Sequence, residues 1–177
     1  CKALKAIDLP DKLKSIGSSC FNYCQSLTAV EIPDSVTEIG SSAFAYCSGL
    51  TEIKISENEK FNTLSSSMFS RCTSLEEITI PDNIRAIGKD AFSFLPNLKT
   101  VEIKSGVESI CEEAFDHCTS LTTVNIPNTV KVIGNSAFNC CSSLTTITLP
   151  EGLKSIGSGV FYGATSLGSI TIPSTVT

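Results

Sequence analysis

Nine cysteines, a single histidine and a cluster of carboxylates are the side chains here that could do chemistry. Cys1, Cys24, Cys47, Cys72, Cys118 and Cys141 fall at one point of a repeating pattern, and no Cys-x-x-Cys pair occurs. The spacing is therefore that of a repeat and not of a zinc knuckle, which needs paired ligands a few residues apart. Leu95 and Ala164 fill the same slot in other repeats, so the slot wants a small or medium apolar group. A free cysteine behaves as a small buried hydrophobe, and these thiols are expected in the core. Disulfides between neighbouring repeats stay open, because Cα atoms near 5 Å apart are within bridging range. The odd total of nine leaves at least one thiol unpaired in a monomer. Cys20 replaces a small alanine and is expected in the core as well, whereas Cys140, beside Cys141, is the expected exposed thiol.

His117 lies in Asp116-His117-Cys118. A Cys–His nucleophile needs both side chains to converge on a third, orienting group. Adjacent residues that point to opposite sides do not, so His117 reads as solvated. Glu108, Glu112, Glu113 and Asp116 cluster in one repeat, with Glu76 and Glu77 nearby. Glycoside hydrolysis by such acids needs one raised pKa in a closed cleft, and the simpler reading is a solvated acidic patch. No phosphate-binding glycine loop, His-rich zinc motif or calcium loop is present. No cofactor or metal is implied. The formal charge of −5 argues against nucleic acid as a partner, and no run of about 18 apolar residues suggests insertion into a membrane. Nor does Cys1-Lys2-Ala3 resemble a secretory leader.

What must position these residues is a repeat. Units begin at Leu4, Leu27, Leu50, Leu75, Leu98, Leu121, Leu144 and Leu167, all 23 residues apart except the third, which runs 25. A period of this length means stacked coils in which each unit touches only its neighbours. Residues 1–177 thus read as one domain, and the lack of a distinct polar cap at either end reads as a piece of a longer array. The two extra residues lie in Ser56-Glu57-Asn58-Glu59-Lys60-Phe61, where other coils have Pro-x-x-Val. They are expected to loop out of a turn without moving the core.

Within a coil, Leu-x-x-Ile-x-Ile-Pro predicts a short strand whose isoleucines point inward. Proline, lacking an N–H, ends the ladder, and pairs such as Asp34-Ser35 or Asp82-Asn83 make turns. Val-x-x-Ile-Gly predicts a second extended piece. Ala-Phe-x-x-Cys, with apolar offsets of one and four, fits a single helical turn that a preceding serine could cap. Phe21, Phe44, Phe69, Phe92, Phe115, Phe138 and Phe161 share one position. They should stack as a buried aromatic ladder, with coils about 4.8 Å apart.

The composite Leu-x-x-Ile-x-Ile-Pro-x-x-Val-x-x-Ile-Gly-x-x-Ala-Phe-x-x-Cys resembles the BspA-like, Treponema-type leucine-rich repeats over essentially the whole chain. Departures fall at Ser56 and Lys104 for proline, Ser65 and Cys111 for glycine, and Leu95 and Ala164 for cysteine. The resemblance implies a right-handed β/α-type solenoid with a parallel sheet on its concave side, here about eight coils. It also implies an extracellular or cell-surface protein with no shared catalytic site, of a kind credited with adhesion.

The outward residues of the predicted sheet are the candidate partner-binding set: Thr28, Glu31, Thr51, Lys54, Glu77, Thr79, Thr100, Glu102, Thr123, Asn125, Thr146 and Thr148. Solenoids use such a face as an extended binding surface, although threonines also pair well across strands for purely structural reasons. The expected role is non-enzymatic: contact with a protein or glycan on a host or neighbouring cell. A structural spacer presenting another domain is the alternative, and a hydrolase working through surface carboxylates comes third.

Overall fold

The computed structural model describes residues 1–177. Alternation of isoleucine and polar residues places one short strand in each of six coils: β2 (Ala29–Glu31), β4 (Glu52–Lys54), β6 (Glu77–Ile80), β8 (Thr100–Ile103), β10 (Thr123–Asn125) and β12 (Thr146–Thr148). A second set follows the Val-x-x-Ile segments: β1 (Ser15–Ile16), β3 (Glu38–Ile39), β5 (Thr63–Leu64), β7 (Ala86–Ile87), β9 (Ser109–Ile110), β11 (Val132–Ile133) and β13 (Ser155–Ile156). All pairing is parallel, with residues matched one coil apart, as in Val101↔Val124. Inward side chains such as Ile78, Val101 and Val124 are buried and the residues between them are exposed.

Two expectations change. Of eight coils, six contribute a strand to the first sheet; the segments after Leu4 and Leu167 do not. Their inner residues have a neighbouring coil on one side only, and Leu4 and Leu167 are just partly buried. The predicted helical turn is also absent. The Ala-Phe-x-x-Cys segment instead runs through successive four-residue turns, such as Ala45 N to Ser42 O at 3.1 Å. Two residues per coil are left-handed, for example Ser42 (φ 57°) and Tyr46 (φ 60°). A right-handed helical turn cannot contain them. Their conformation rotates alternate amides out of the coil, so Ser42, Phe44 and Tyr46 donate to Ser66, Met68 and Ser70 at 2.9, 3.0 and 2.8 Å. A helical turn would spend those amides internally; this arrangement makes a third ladder between coils.

Phe44, Phe69, Phe92, Phe115 and Phe138 are completely buried. From Phe21 to Phe161 the ring centroids lie 5.2–6.1 Å apart and within 15° of parallel. The leucines that open the coils and the ladder cysteines Cys24, Cys47, Cys72, Cys118 and Cys141 line the same core. Glycine after the second strand is explained by close approach: a Cβ at Gly88 would sit 2.2 Å from the Leu64 carbonyl oxygen. Cys111 carries a side chain in that slot, so not every coil demands the approach.

The 25-residue coil interrupts both sheets, at different borders. Its first strand, β4, pairs only with β2 behind it, while its second strand, β5, pairs only with β7 ahead. The inserted segment between them does not simply loop out. Phe61, 2% exposed, fills the core position that Val36 and Val107 occupy in other coils. Asn58 Nδ2 donates to the Asp34 carbonyl at 2.7 Å, and the Asp34 carboxylate accepts from the Glu57 amide at 2.9 Å. From the following coil, Asn83 Nδ2 donates to the carbonyls of Ser56, Asn58 and Phe61 at 3.0, 3.1 and 2.7 Å. The turn ladder and the phenylalanine stack pass through unbroken, with Phe44 and Phe69 5.6 Å apart.

Candidate interaction surface

All twelve outward residues of the first sheet are exposed. Strand register arranges them in ranks. Glu77, Thr100, Thr123 and Thr146 form one rank, and Thr79, Glu102, Asn125 and Thr148 the next. On the other side of the sheet break, Glu31 is matched with Lys54 and Ala29 with Glu52. Thr28 and Thr51 lie one residue before their strands, and their hydroxyls donate to Lys5 O at 3.5 Å and Thr28 O at 3.1 Å. Thr122 and Thr145 repeat that bond at 3.4 and 3.2 Å. These threonines therefore tie coil to coil, whereas the hydroxyls of Thr100, Thr123 and Thr146 point to solvent with no protein partner.

The charges on this face are largely paired. Lys54 contacts Glu31, Lys99 contacts Glu76 at 2.6 Å, and Lys104 contacts Glu102, which also accepts from Thr79 at 3.2 Å. The Lys104 contact holds Glu102 below the ordinary carboxylate range, and Glu31 raises Lys54. Glu52 and Glu77 make no ion pair, and they occupy equivalent positions on the two sides of the sheet break. An open depression lies over that break, lined among others by Thr51, Glu52, Glu77, Thr79 and Glu102. A polar hollow of this kind suits hydrogen-bonding groups or a cation supplied by a partner.

The acidic cluster is arranged differently from its sequence appearance. Lys89 bridges Glu112 at 3.3 Å and Glu113 at 3.9 Å. Desolvation, reinforced by Asp90, raises the Glu113 carboxyl. Asp116 is not a solvated acid: it is 6% exposed and accepts from His117 Nδ1 at 2.8 Å and Asn139 Nδ2 at 2.6 Å. Nor is His117 simply solvated, because its ring stacks on Phe94 at 4.7 Å. No three His, Cys, Asp or Glu side chains converge as metal ligands, and no helix is long and apolar enough to cross a membrane.

Every thiol is free. Cys47, Cys72, Cys118 and Cys141 donate to the carbonyls of Phe21, Phe44, Phe92 and Phe115 at 3.1–3.3 Å. Burial pushes Cys47 up to about 11 and Cys141 to about 12, and raises Cys72 and Cys118 well above the ordinary thiol range. Three cysteines depart from expectation. Cys1 and Cys20 are exposed, and Cys140 is only intermediate. Cys1 precedes the first coil and Cys20 lies within it, and each is flanked by a packed coil on one side only.

A further surface feature lies outside the recurring residue pattern of the repeat. The residue before the cysteine slot forms a surface column over five successive coils: Tyr23, Tyr46, Arg71, Phe94 (before Leu95) and His117.

Comparison with known proteins places this geometry. A family model described as the BspA type leucine rich repeat region matches residues 1–119 and 62–177, in six copies. The fold is similar to that of a leucine-rich repeat protein from Bacteroides ovatus (TM-score 0.72, 26% identity), covering 97% of this chain and 52% of that one. It is similar too to the leucine-rich repeat protein of T. pallidum (TM-score 0.66, 30% identity), covering 96% and 71%. The pneumococcal vaccine antigen PcpA (TM-score 0.66, 26% identity) covers 93% of this chain, which spans 44% of its length. The chain thus spans about half the length of the Bacteroides protein. No curated protein matches the sequence.

Proposed function

Because the chain belongs to the BspA-type leucine-rich repeat family, we propose that it is a non-enzymatic interaction module of an extracellular or cell-surface protein, contacting a protein or glycan partner through the exposed face of its first sheet. The observation that carries this reading is the rank Glu77, Thr100, Thr123 and Thr146, held in register on rigid strands with its three threonine hydroxyls unengaged. A fixed row of donors and acceptors loses little freedom on binding. Similarity to a protein named as a vaccine antigen supports a surface setting. The face carries no aromatic anchor of the type that dominates hot spots, so binding is weak per coil and gains from repetition along an array.

The test is saturable binding of the folded chain to a panel of extracellular-matrix proteins. Changing Glu31, Lys54 and Glu77 together to glutamine should weaken it by about tenfold, equivalent to about 1.4 kcal/mol. Binding indifferent to that triple change would instead favour a spacer role. That reading draws on the inter-coil bonds of Thr28, Thr51, Thr122 and Thr145, which give threonine a structural use on the same face.

A further inference from the structure

The column outside the sheet is built around a cation. The Arg71 guanidinium lies 4.0 Å from the Phe94 ring centroid on one side and 5.4 Å from that of Tyr46 on the other. Tyr23 continues the stack beyond Tyr46 at 4.3 Å, and His117 continues it beyond Phe94 at 4.7 Å. The Arg71 guanidinium makes no hydrogen bond or ion pair within the protein. The chain's other arginine, Arg85, donates to the Gly106 carbonyl at 3.0 Å. A sandwiched guanidinium with unengaged donors is fixed in place and still has its whole recognition edge to offer.

The backbone holds the column there at some cost. Tyr46, Arg71, Phe94 and His117 are all left-handed, at φ 60°, 62°, 57° and 56°, a region bulky residues rarely enter. Their amides donate to Ser70, Ser93, Asp116 and Asn139 of the next coil at 2.7–2.9 Å, so the strained conformation is fixed by the ladder. Asp116, the one carboxylate beside the column, lies behind His117 and is spent on His117 and Asn139. It does not neutralise Arg71.

We infer that this column is a second interaction surface, independent of the sheet face, and that Arg71 receives an acidic side chain of a partner protein. A planar carboxylate matches the guanidinium fork with two parallel bonds. The ring edges flanking Arg71 carry the positive part of the aromatic quadrupole, which suits carboxylate and carbonyl oxygens. Both faces of Tyr46 and of Phe94 are already covered, so a sugar ring has no free aromatic face in the middle of the column to lie on. Tyrosine, phenylalanine and arginine are also the residue types enriched at protein interfaces.

The arginine Nε–H region of a nitrogen–proton spectrum of the full chain reads this directly, since the protein has only Arg71 and Arg85. The probe is a capped peptide in which glutamate is flanked by leucine and phenylalanine; its control carries glutamine. The Arg71 signal should move saturably with the glutamate peptide, the Arg85 signal should stay, and the glutamine peptide should bind at least about tenfold more weakly. R71K keeps the charge and loses the fork; with an unchanged melting temperature it should lose most of the affinity. The triple change at Glu31, Lys54 and Glu77 should leave this titration untouched, which separates the two surfaces. An Arg71 signal that ignores the peptide, or that answers a sulfated disaccharide or inorganic sulfate more strongly, overturns the proposal. So does full peptide affinity in R71K.

Discussion

At Cys47, Cys72, Cys118 and Cys141 the thiol gives its proton to a carbonyl of the preceding coil and the sulfur is surrounded by apolar neighbours. Ionising it there means burying an unpaired thiolate. An unfolded thiol loses its proton near pH 8.5, while Cys47 and Cys141 hold theirs to about 11 and 12. The folded state therefore binds more protons across that window. Its stabilisation is complete below about pH 8.5 and drains away as pH rises through the folded values, at about 1.4 kcal/mol per pH unit for each such thiol. Urea midpoints measured from pH 8 to 10.5 should fall steadily, and Cys118→Ala should make the slope shallower. Native-state labelling should modify Cys1 and Cys20 quickly, Cys111 and Cys140 slowly, and the five buried thiols only after denaturation. That these cysteines are packing groups was legible from Leu95 and Ala164 standing in the same slot. That Cys20 would be exposed was not, because its slot is a core slot and only the missing outer neighbour uncovers it.

The elements show where local pattern suffices and where it fails. Ile-x-Ile-Pro specifies its strand because alternation, β-branching and the proline stop all agree. Ala-Phe-x-x-Cys misleads because apolar offsets of one and four suit a helical turn and this tighter turn equally. What separates them is left-handed backbone at residues such as Ser42, Tyr46 and Arg71, none of which is glycine. Such conformations leave no mark in composition, since the ladder to the next coil enforces them. The column at Tyr23, Tyr46, Arg71, Phe94 and His117 escaped for a related reason: no residue type dominates the position, so only the shared stacking geometry reveals it. In the long coil, Asn83 holds the inserted segment through three carbonyls and is itself 4% exposed. Asn83→Ala leaves those acceptors buried without it and should cost roughly 1–3 kcal/mol. Proteolysis between Ser56 and Lys60 should accelerate with it, a change that limited digestion followed by mass spectrometry detects.

The whole molecule is a line of neighbours. Its stability is a sum over coils and the contacts between them, and the phenylalanine stack is the contact that the first seven coils share. Phe92 packs on Phe69 at 5.7 Å and on Phe115 at 5.5 Å. Phe92→Ala should cost about 3–5 kcal/mol, read from urea denaturation, while Phe161→Ala at the half-buried end should cost clearly less. The array itself was legible because its markers recur together at fixed offsets. The break in its two sheets was not, because the insertion's location says nothing about which neighbour each strand of that coil chooses.

That choice matters once the chain is pulled from its ends. Load passing along the solenoid meets two consecutive borders where one sheet has no ladder. There the one remaining sheet, the turn ladder, the stacked rings and the side chains of Asn58 and Asn83 carry the force. From the fourth coil to the seventh two sheets share it. In a single-molecule stretching trace the first extension step among the interior coils should open at the long coil, and Asn83→Ala should lower the force at which it appears. A two-residue insertion would then act as a mechanical fuse, deciding where an otherwise uniform rod gives way.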